Sequence, residues 1–453
     1  MKSLRIVMAA LLASAGAQAA ELEQVLEQRL AGDRSGVCVA AARIGEHTEL
    51  GFFCANADNP RSLDADSRFE IGSLSKALQG LLVARLAERG EIALDQPLAT
   101  LLPEGTSVPQ FADEPIRLIH VLTHTAGLPR LPPDFEITDP DNPYADYTPE
   151  NLLADLEATE LQGPPGASFG YSNYGAMLLS YALVHHSGQS LATLLEQEIF
   201  EPLGMNQTGL DGTTVAGHAG RGRAADNWDF HPDLGGVGAI RSTPADMARW
   251  LEASLGRHDG PLAGALAKSR EVLIEADGQL VGYGWLHLPL GENHVLAHDG
   301  GTGGFSSFAA LDPETGRASL VLMDTSMVLR GSLGDLAMHL VDDSVPMEEP
   351  EPASARQPDL DFEALTGRFA LYDGEEPFMG DFVLEFSNAN GELLVQASVG
   401  GQIQPKVGLD PDGEDRFVNP DIDLTIEFQR NESDEVHGLD FNQGPLDLHG
   451  KRL

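Results

Sequence analysis

Apolar residues recur at intervals of three and four over several segments, which is the spacing that gives an α-helix one buried face. The clearest segment runs from residue 73 to about residue 89. Its repeating positions are Leu74, Ala77, Leu78, Leu81, Leu82 and Leu86. The same spacing predicts a leading helix from residue 20 to about 34, a helix from Tyr174 to about His186, and a last helix from Asp335 to about Asp342.

Strand-like runs occur near both ends of residues 20–343. Gly36–Ile44 and Thr48–Ala55 flank the turn Gly45-Glu46-His47 and predict a hairpin. Further runs are Val281–Pro289, His294–Ala297, Ser306–Leu311 and Ala318–Asp324. Strands at both ends with helices between them predict an α+β fold: one antiparallel sheet with flanking helices and an inserted helical region.

The last part of the chain has a different pattern. Residues 344–358 are rich in Pro and Glu and lack periodicity, so we interpret them as a linker. Residues 359–453 carry short alternating runs separated by turn residues, which predict a small all-β domain, either a barrel or a sandwich. The runs are Phe382–Phe386, Leu393–Ala397, Leu424–Phe428, Val436–Phe441 and Leu446–Leu453.

The first residues have the composition of an export signal. Met1 to Arg5 carry positive charge, the apolar run Ile6–Ala13 follows, and Ala17-Gln18-Ala19 offers a small-residue cleavage site. We therefore predict a signal peptide over residues 1–19 and a periplasmic or secreted location. No later stretch approaches 18 uninterrupted apolar residues, so no membrane span is expected.

The net charge of −42 changes which partners are expected. Such a surface repels nucleic acid and anionic lipid, so neither is an expected partner. Lysine is scarce, with 5 Lys against 23 Arg among the 28 basic residues. This composition resembles that of salt-adapted secreted proteins, although an ordinary soluble acidic surface explains it equally well.

Cys38 and Cys54 are the two cysteines of the chain. They are equidistant from the centre of the predicted hairpin and would lie opposite each other, close enough for a disulfide. Export to an oxidising compartment favours that bond. The alternative is two buried free thiols in the sheet.

Ser73-Leu74-Ser75-Lys76 is the first segment with chemical potential. Ser73 lies in the first turn of the predicted helix, and Lys76 follows one turn later on the same face. A serine hydroxyl becomes a nucleophile when a base removes its proton, and a lysine serves as that base when burial or nearby positive charge lowers its pKa. By itself the motif also fits an N-cap serine followed by a solvated lysine.

Two later motifs favour the catalytic interpretation of Ser73 and Lys76 over the N-cap interpretation. Tyr171-Ser172-Asn173 lies 98 residues after Ser73, and His298-Asp299-Gly300-Gly301 begins 127 residues after Tyr171. In this order and spacing, the three motifs resemble the active-site set of penicillin-recognising serine hydrolases. That group includes class C β-lactamases, DD-peptidases, D-aminopeptidases and esterases of the same fold. The resemblance spans roughly residues 40 to 345, and the C-terminal β domain resembles the lipocalin-like barrel attached to several members.

The resemblance implies a role for each motif residue. Ser73 would form an acyl-enzyme, and Lys76 and Tyr171 would share the proton transfers. Asn173 would bind a substrate amide carbonyl and help to hold Lys76. The backbone N–H groups of Ser73 and Gly301 would form an oxyanion hole. His298 and Gly300 would border the substrate, with Gly300 allowing its close approach. No metal and no cofactor is expected.

His298 is a departure from many relatives, which carry lysine at this position. A neutral histidine lacks the fixed positive charge that binds a substrate carboxylate, so β-lactams are expected to bind poorly. We therefore expect a secreted serine hydrolase acting on a small molecule or peptide, as a D-amino-acid peptidase, carboxypeptidase or esterase. A class C-type β-lactamase and a penicillin- or peptidoglycan-binding sensor without turnover are the alternatives. The sequence leaves the oligomeric state open.

Overall fold

The structure is a computed structural model of the 453-residue chain. The residues it describes are 21–31, 37–55, 62–219, 223–290, 293–326, 333–347, 362–379, 382–389, 392–399, 402–404, 406–413, 415–419, 422, 424–431, 433–444 and 446–453. The predicted signal peptide and most of the predicted linker lie outside these residues.

The α-helices are distributed along residues 21–341. They are α1 (residues 21–29), α2 (Ser75–Glu88), α3 (Leu118–Leu122), α4 (Pro149–Ala158), α5 (Asn173–Ser187), α6 (Leu191–Leu195), α7 (Glu201–Leu203), α8 (Pro244–Glu252), α9 (Ala263–Lys268) and α10 (Gly334–Val341). Four of them, α1, α2, α5 and α10, are the helices that the apolar periodicity predicts.

The strands of this part are short outside the main sheet. They are β1 (Cys38–Ile44), β2 (Thr48–Cys54), β3 (Phe69–Glu70), β4 (Gln110–Phe111), β5 (Glu114–Pro115), β6 (Gly217–Ala219), β7 (Arg223–Ala225), β8 (Arg241–Ser242), β9 (Ile274–Ala276), β10 (Gln279–Val281), β11 (Leu286–Leu290), β12 (Asn293–Gly301), β13 (Ser306–Asp312) and β14 (Arg317–Met323).

One eight-stranded antiparallel sheet joins the two ends of this part, in the order β2-β1-β14-β13-β12-β11-β10-β9. The α+β fold with an inserted helical region is thus confirmed. The single strand predicted over Val281–Pro289 was wrong: the chain turns between β10 and β11, which pair with each other. Its glycines at 282 and 284 explain the break, because Gly284 adopts φ +75° at this turn.

Alternation along the strands divides the core into two layers. Val39 and Ala41 of β1 pack with α1 and α10 on one face of the sheet. Ala40 and Ala42 pack with α2 and α8 on the other face. In α2, eleven of fourteen residues are buried, so this helix lies inside the fold and holds its first turn rigidly.

Cys38 and Cys54 are directly opposite in the β1–β2 register. Their Sγ atoms form a disulfide. This bond ties the edge strand β2 to the interior strand β1.

The C-terminal part is a closed barrel. Its strands are β15 (Gly367–Asp373), β16 (Glu376–Pro377), β17 (Val383–Ala389), β18 (Glu392–Val399), β19 (Gln402–Ile403), β20 (Val407–Pro411), β21 (Arg416–Asn419), β22 (Leu424–Arg430), β23 (Val436–Gln443) and β24 (Leu446–Arg452). Pairing of β15 with β24 closes the circuit of eight strands, so the barrel is the correct one of the two predicted architectures.

Phenylalanine side chains fill this barrel. They are Phe369, Phe386, Phe417, Phe428 and Phe441, all buried in one cluster separate from the core of the main sheet. The sequence did not predict β15, β20 and β21, of which β20 lacks alternating burial and β21 is only four residues long. The boundaries of the two domains stay a prediction.

No helix among the described residues is long and apolar enough to cross a membrane.

Candidate active site

Ser73 lies in a 3-10 turn, Gly72–Leu74, that leads directly into α2. Gly72 adopts φ +50°, and a Cβ atom there would lie 2.5 Å from the backbone nitrogen of Gly301. The Ser307 hydroxyl donates a hydrogen bond of 2.8 Å to the carbonyl of Ile71. The turn is therefore fixed against β12 and β13, and Ser73 remains partly exposed.

Lys76 is buried, and its Nζ atom donates a hydrogen bond of 2.9 Å to Ser73 Oγ. It donates a second, of 2.6 Å, to the carbonyl of Val237. Burial lowers the Lys76 pKa to about 7, assisted by the positive charge of Arg130 and opposed by Asp299. At neutral pH a large fraction of this amine is therefore unprotonated and able to accept a proton.

Tyr171 lies beside the same pair. The Lys76 Nζ atom is 5.1 Å from the centre of its ring. Burial raises the pKa of Tyr171, and its hydrogen bond with Ser73 opposes that shift. The phenol thus remains protonated at neutral pH. The His124 ring supports it from one side, with ring centroids 4.5 Å apart.

Asn173 begins α5, and the Ser172 side chain caps this helix by accepting from the Gly175 backbone N–H at 2.9 Å. The Asn173 Nδ2 atom donates to Tyr144 Oη at 2.9 Å. Its Oδ1 atom is buried without a hydrogen-bond partner. The hydrogen bonds of Lys76 Nζ go to Ser73 Oγ and the Val237 carbonyl, and the role of Asn173 in holding Lys76 stays a prediction.

His298 is buried on β12, and its ring centroid lies 6.1 Å from that of Tyr171. Its Nδ1 atom is 2.5 Å from the Asp299 carbonyl oxygen. Burial lowers the His298 pKa, the nearby Lys76 lowers it further, and Asp299 opposes both effects. The imidazole is thus neutral at pH 7, in agreement with the interpretation of its sequence position.

Gly300 and Gly301 complete this side of the site. A Cβ atom at Gly300 would lie 2.2 Å from the carbonyl oxygen of Ile71 and 2.9 Å from the backbone nitrogen of Ser73. Any larger residue would push the Ser73 turn away from β12. Glycine is needed here because the backbone of β12 and that of the Ser73 turn approach each other closely.

Four further residues that the sequence motifs do not include belong to this site: His124, Arg130, Tyr144 and Val237. His124 adopts φ +57°, accepts from the Ser172 backbone N–H at 3.2 Å, and has its pKa lowered to about 3, chiefly by burial. His124 lies in Leu122-Thr123-His124-Thr125-Ala126-Gly127-Leu128-Pro129, a further segment that resembles the same group of hydrolases and could have indicated it. No sequence signal marks Val237, because it contributes only its backbone carbonyl.

Within the described ranges, no group of three or more His, Cys, Asp or Glu side chains could hold a metal ion.

Comparison with known proteins identifies the family of this chain. The family described as Beta-lactamase matches residues 22–332, more than half of the chain. The chain belongs to the beta-lactamase family. A relative within the family is the D-alanyl-D-alanine-carboxypeptidase/endopeptidase AmpH of Escherichia coli (strain K12), 29% identical over 58% of this chain and 73% of AmpH. Another is the esterase EstB of Burkholderia gladioli, 31% identical over 43% of this chain and 52% of EstB.

Solved structures agree with the fold. The beta-lactamase/D-alanine carboxypeptidase of Yersinia pestis superimposes with a TM-score of 0.60 at 24% identity, covering 72% of this chain and 99% of that one. The octameric penicillin-binding protein homologue of Pyrococcus abyssi has a TM-score of 0.61 at 21% identity and covers 95% of this chain and 99% of its own. As a member of the beta-lactamase family, the chain is a serine hydrolase.

Proposed function

We propose that Ser73 is the nucleophile and cleaves an amide or ester bond through a covalent acyl-enzyme. The observation that carries this proposal is the 2.9 Å hydrogen bond between Lys76 Nζ and Ser73 Oγ, with the Lys76 pKa lowered to about 7. A neutral amine at this distance takes the hydroxyl proton as the Ser73 oxygen bonds to the acyl carbon.

The protonated Tyr171 phenol has the complementary role. Because its raised pKa keeps the phenol protonated, Tyr171 has a proton to pass to the leaving group, and protonated Lys76 returns one to it in the same step. In deacylation the same pair carries a proton from the attacking water back to Ser73. The Ser73 and Gly301 amides would donate to the oxyanion that develops in both steps.

The substrate class follows from the other side of the site. A buried neutral His298 offers no fixed positive charge, which favours a D-amino-acid peptidase or an esterase over a β-lactamase; a carboxypeptidase would need its positive charge from another residue. The relatives named as a D-alanyl-D-alanine-carboxypeptidase/endopeptidase and as an esterase support both possibilities. Relatives named Beta-lactamase, one from Yersinia enterocolitica at 25% identity, keep the lactamase as the second possibility. Gly300 and the unpaired Asn173 Oδ1 would border the bound substrate.

The predicted leader and the acidic composition support a secreted or periplasmic site of action. Substrates there are small molecules and cell-wall peptides. A binding protein that acylates without turnover is the remaining alternative.

Turnover of three substrates decides among these functions: a p-nitrophenyl ester, a peptide ending in D-Ala-D-Ala, and a chromogenic cephalosporin. Each is assayed with the wild type and with Ser73→Ala. We expect ester or peptide turnover that Ser73→Ala abolishes. Fast cephalosporin hydrolysis would establish the lactamase instead. Stoichiometric labelling of Ser73 without turnover would establish the sensor.

A further inference from the structure

We infer that Arg130 binds a carboxylate of the substrate at the mouth of the active site. The inference rests on the proposed function and adds a specificity-determining residue to it. Arg130 lies outside the three sequence motifs, and it is exposed.

Arg130 is unusual among the described arginines in having neither a carboxylate nor a carbonyl partner. Of the arginines whose side chains the structure describes, only Arg130 and Arg270 lack a carboxylate or carbonyl partner. In a chain with 70 Asp and Glu residues, carboxylates are abundant on the surface. An arginine left unpaired under these conditions has its guanidinium available for an external anion.

The backbone of Arg130 is fixed to the catalytic loop. Its carbonyl oxygen accepts hydrogen bonds from the backbone N–H groups of Asn173, at 2.9 Å, and Tyr174, at 3.2 Å. The guanidinium carbon lies 5.3 Å from the centre of the Tyr171 ring, within the range of a cation–π contact. The side chain is thus held over the phenol that hydrogen-bonds to Ser73.

The charges of the neighbouring residues explain why a guanidinium at the position of Arg130 matters for substrate binding. His298 is neutral and Lys76 is about half protonated at pH 7, whereas the Arg130 guanidinium is a fixed positive charge, close enough to lower the Lys76 pKa. Asp299 is the opposing charge: it is half-buried and acts on both Lys76 and Tyr171. A guanidinium presents paired N–H donors that match a carboxylate, which a neutral histidine does not.

His298 alone predicts that carboxylate-bearing substrates bind poorly. Arg130 reverses that expectation for some of these substrates. The positive charge lies on the Tyr171 side of the cleft instead of on β12. Substrates whose carboxylate reaches that side are favoured over their neutral counterparts.

The test uses two matched pairs of esters: mono-p-nitrophenyl adipate with its methyl ester, and 3-acetoxybenzoate with its methyl ester. The first pair carries the carboxylate on the acyl group and the second on the leaving group. For at least one pair, we expect Arg130→Gln to lower kcat/KM for the acid about 10-fold or more, the scale of a hydrogen bond to a charged group. The methyl ester should lose clearly less, because for it Arg130 acts only through the Lys76 and Tyr171 pKa values. Arg368→Gln, with the same charge change in the barrel, should alter neither.

Equal losses for an acid and its methyl ester would overturn the inference, since Arg130 would then act only through Lys76 or Tyr171. An unchanged acid preference in Arg130→Gln would also overturn it.

A binding experiment that needs no turnover separates a failure of this inference from a failure of the proposed function. Calorimetry with Ser73→Ala measures the affinity for each acid and its methyl ester, and the double variant Ser73→Ala/Arg130→Gln measures it again. A preference for the acid that disappears in the double variant supports Arg130 even if wild type hydrolyses none of the esters. Equal affinities in both proteins would overturn the assignment even if Ser73 proves to be the nucleophile.

Discussion

Lys76 and Val237, separated by 161 residues in the chain, are joined by a hydrogen bond of 2.6 Å from the lysine Nζ atom to the valine carbonyl. This carbonyl lies at the end of the 3-10 segment Pro232–Val237. The lysine is therefore held toward Ser73 by a segment that contains no motif residue. Its direction depends on how firmly that segment is fixed to the helices around it.

A buried serine fixes that segment. The Ser180 hydroxyl accepts from the Gly236 backbone N–H at 3.0 Å and from the Gln79 side chain at 2.8 Å. We expect Ser180→Ala to lower the free energy of unfolding by about 1–3 kcal/mol, because both donors lose their acceptor. Urea denaturation measures this, and assays well below the unfolding transition should show kcat reduced more than KM increased. Ser187→Ala, near the end of the same helix, should change neither quantity; equal effects at both positions would contradict this role.

Lys76→Ala tests the assigned base. We expect kcat/KM for an accepted ester to fall at least about 100-fold, the scale of general-base contributions. Lys268→Ala is the matched control, since Lys268 ends α9 and makes no contact with Ser73. Circular dichroism verifies that both variants are folded. Near-normal turnover by Lys76→Ala would refute the role given to this lysine.

The pH dependence follows from the lowered Lys76 pKa. The active form is the neutral amine, so kcat/KM should rise with pH through about 7 and level off above it. Asp299 raises this pKa, and Asp299→Asn should therefore move the rising limb to lower pH. Profiles measured at constant ionic strength check both points. A limb that stays in place, or one that moves to higher pH, would show that another group controls the rate.

The disulfide between Cys38 and Cys54 closes a loop with a sequence separation of 16 residues. We expect the double variant Cys38→Ala/Cys54→Ala to lose about 3 kcal/mol of stability, since cross-linking a loop of this length restricts the unfolded chain. Denaturation of wild type with and without reductant provides an independent measurement. A reductant effect that persists in the double variant would assign it to something other than this bond.

Phe369 tests whether the predicted domain boundaries divide the chain into independent units. It is fully buried in the barrel and packs edge-to-face against Phe386. Phe369→Ala should destabilise the barrel by about 3–5 kcal/mol, as a separate unfolding transition. Labelling of Ser73 should be retained if residues 20–343 fold independently. Met379→Ala, at a position 65% exposed, is the control in the same barrel. A single transition that shifts as a whole would contradict the division.

Local patterns in the sequence predict much of this fold. Residues 75–88 form a helix because apolar side chains recur at helical spacing, and Cys38 faces Cys54 because a three-residue turn sets the hairpin register. The order of the motifs containing Ser73, Tyr171 and His298 identified the family, since each motif is a short contiguous segment. Strand β20 was not predicted because its burial does not alternate, and β21 because it has only four residues; β15 was missed although its buried positions, Phe369 and Leu371, do alternate.

The sequence alone determined which residue types can perform acyl transfer and which class of fold contains them. Tertiary structure alone decided that Lys76 donates to Val237, that Asn173 donates to Tyr144, and that Arg130 lies over Tyr171. The physical reason is that periodicity and motifs describe neighbours along the chain. Hydrogen-bond partners and the solvation that sets a pKa depend on segments that are distant in sequence and meet only on folding.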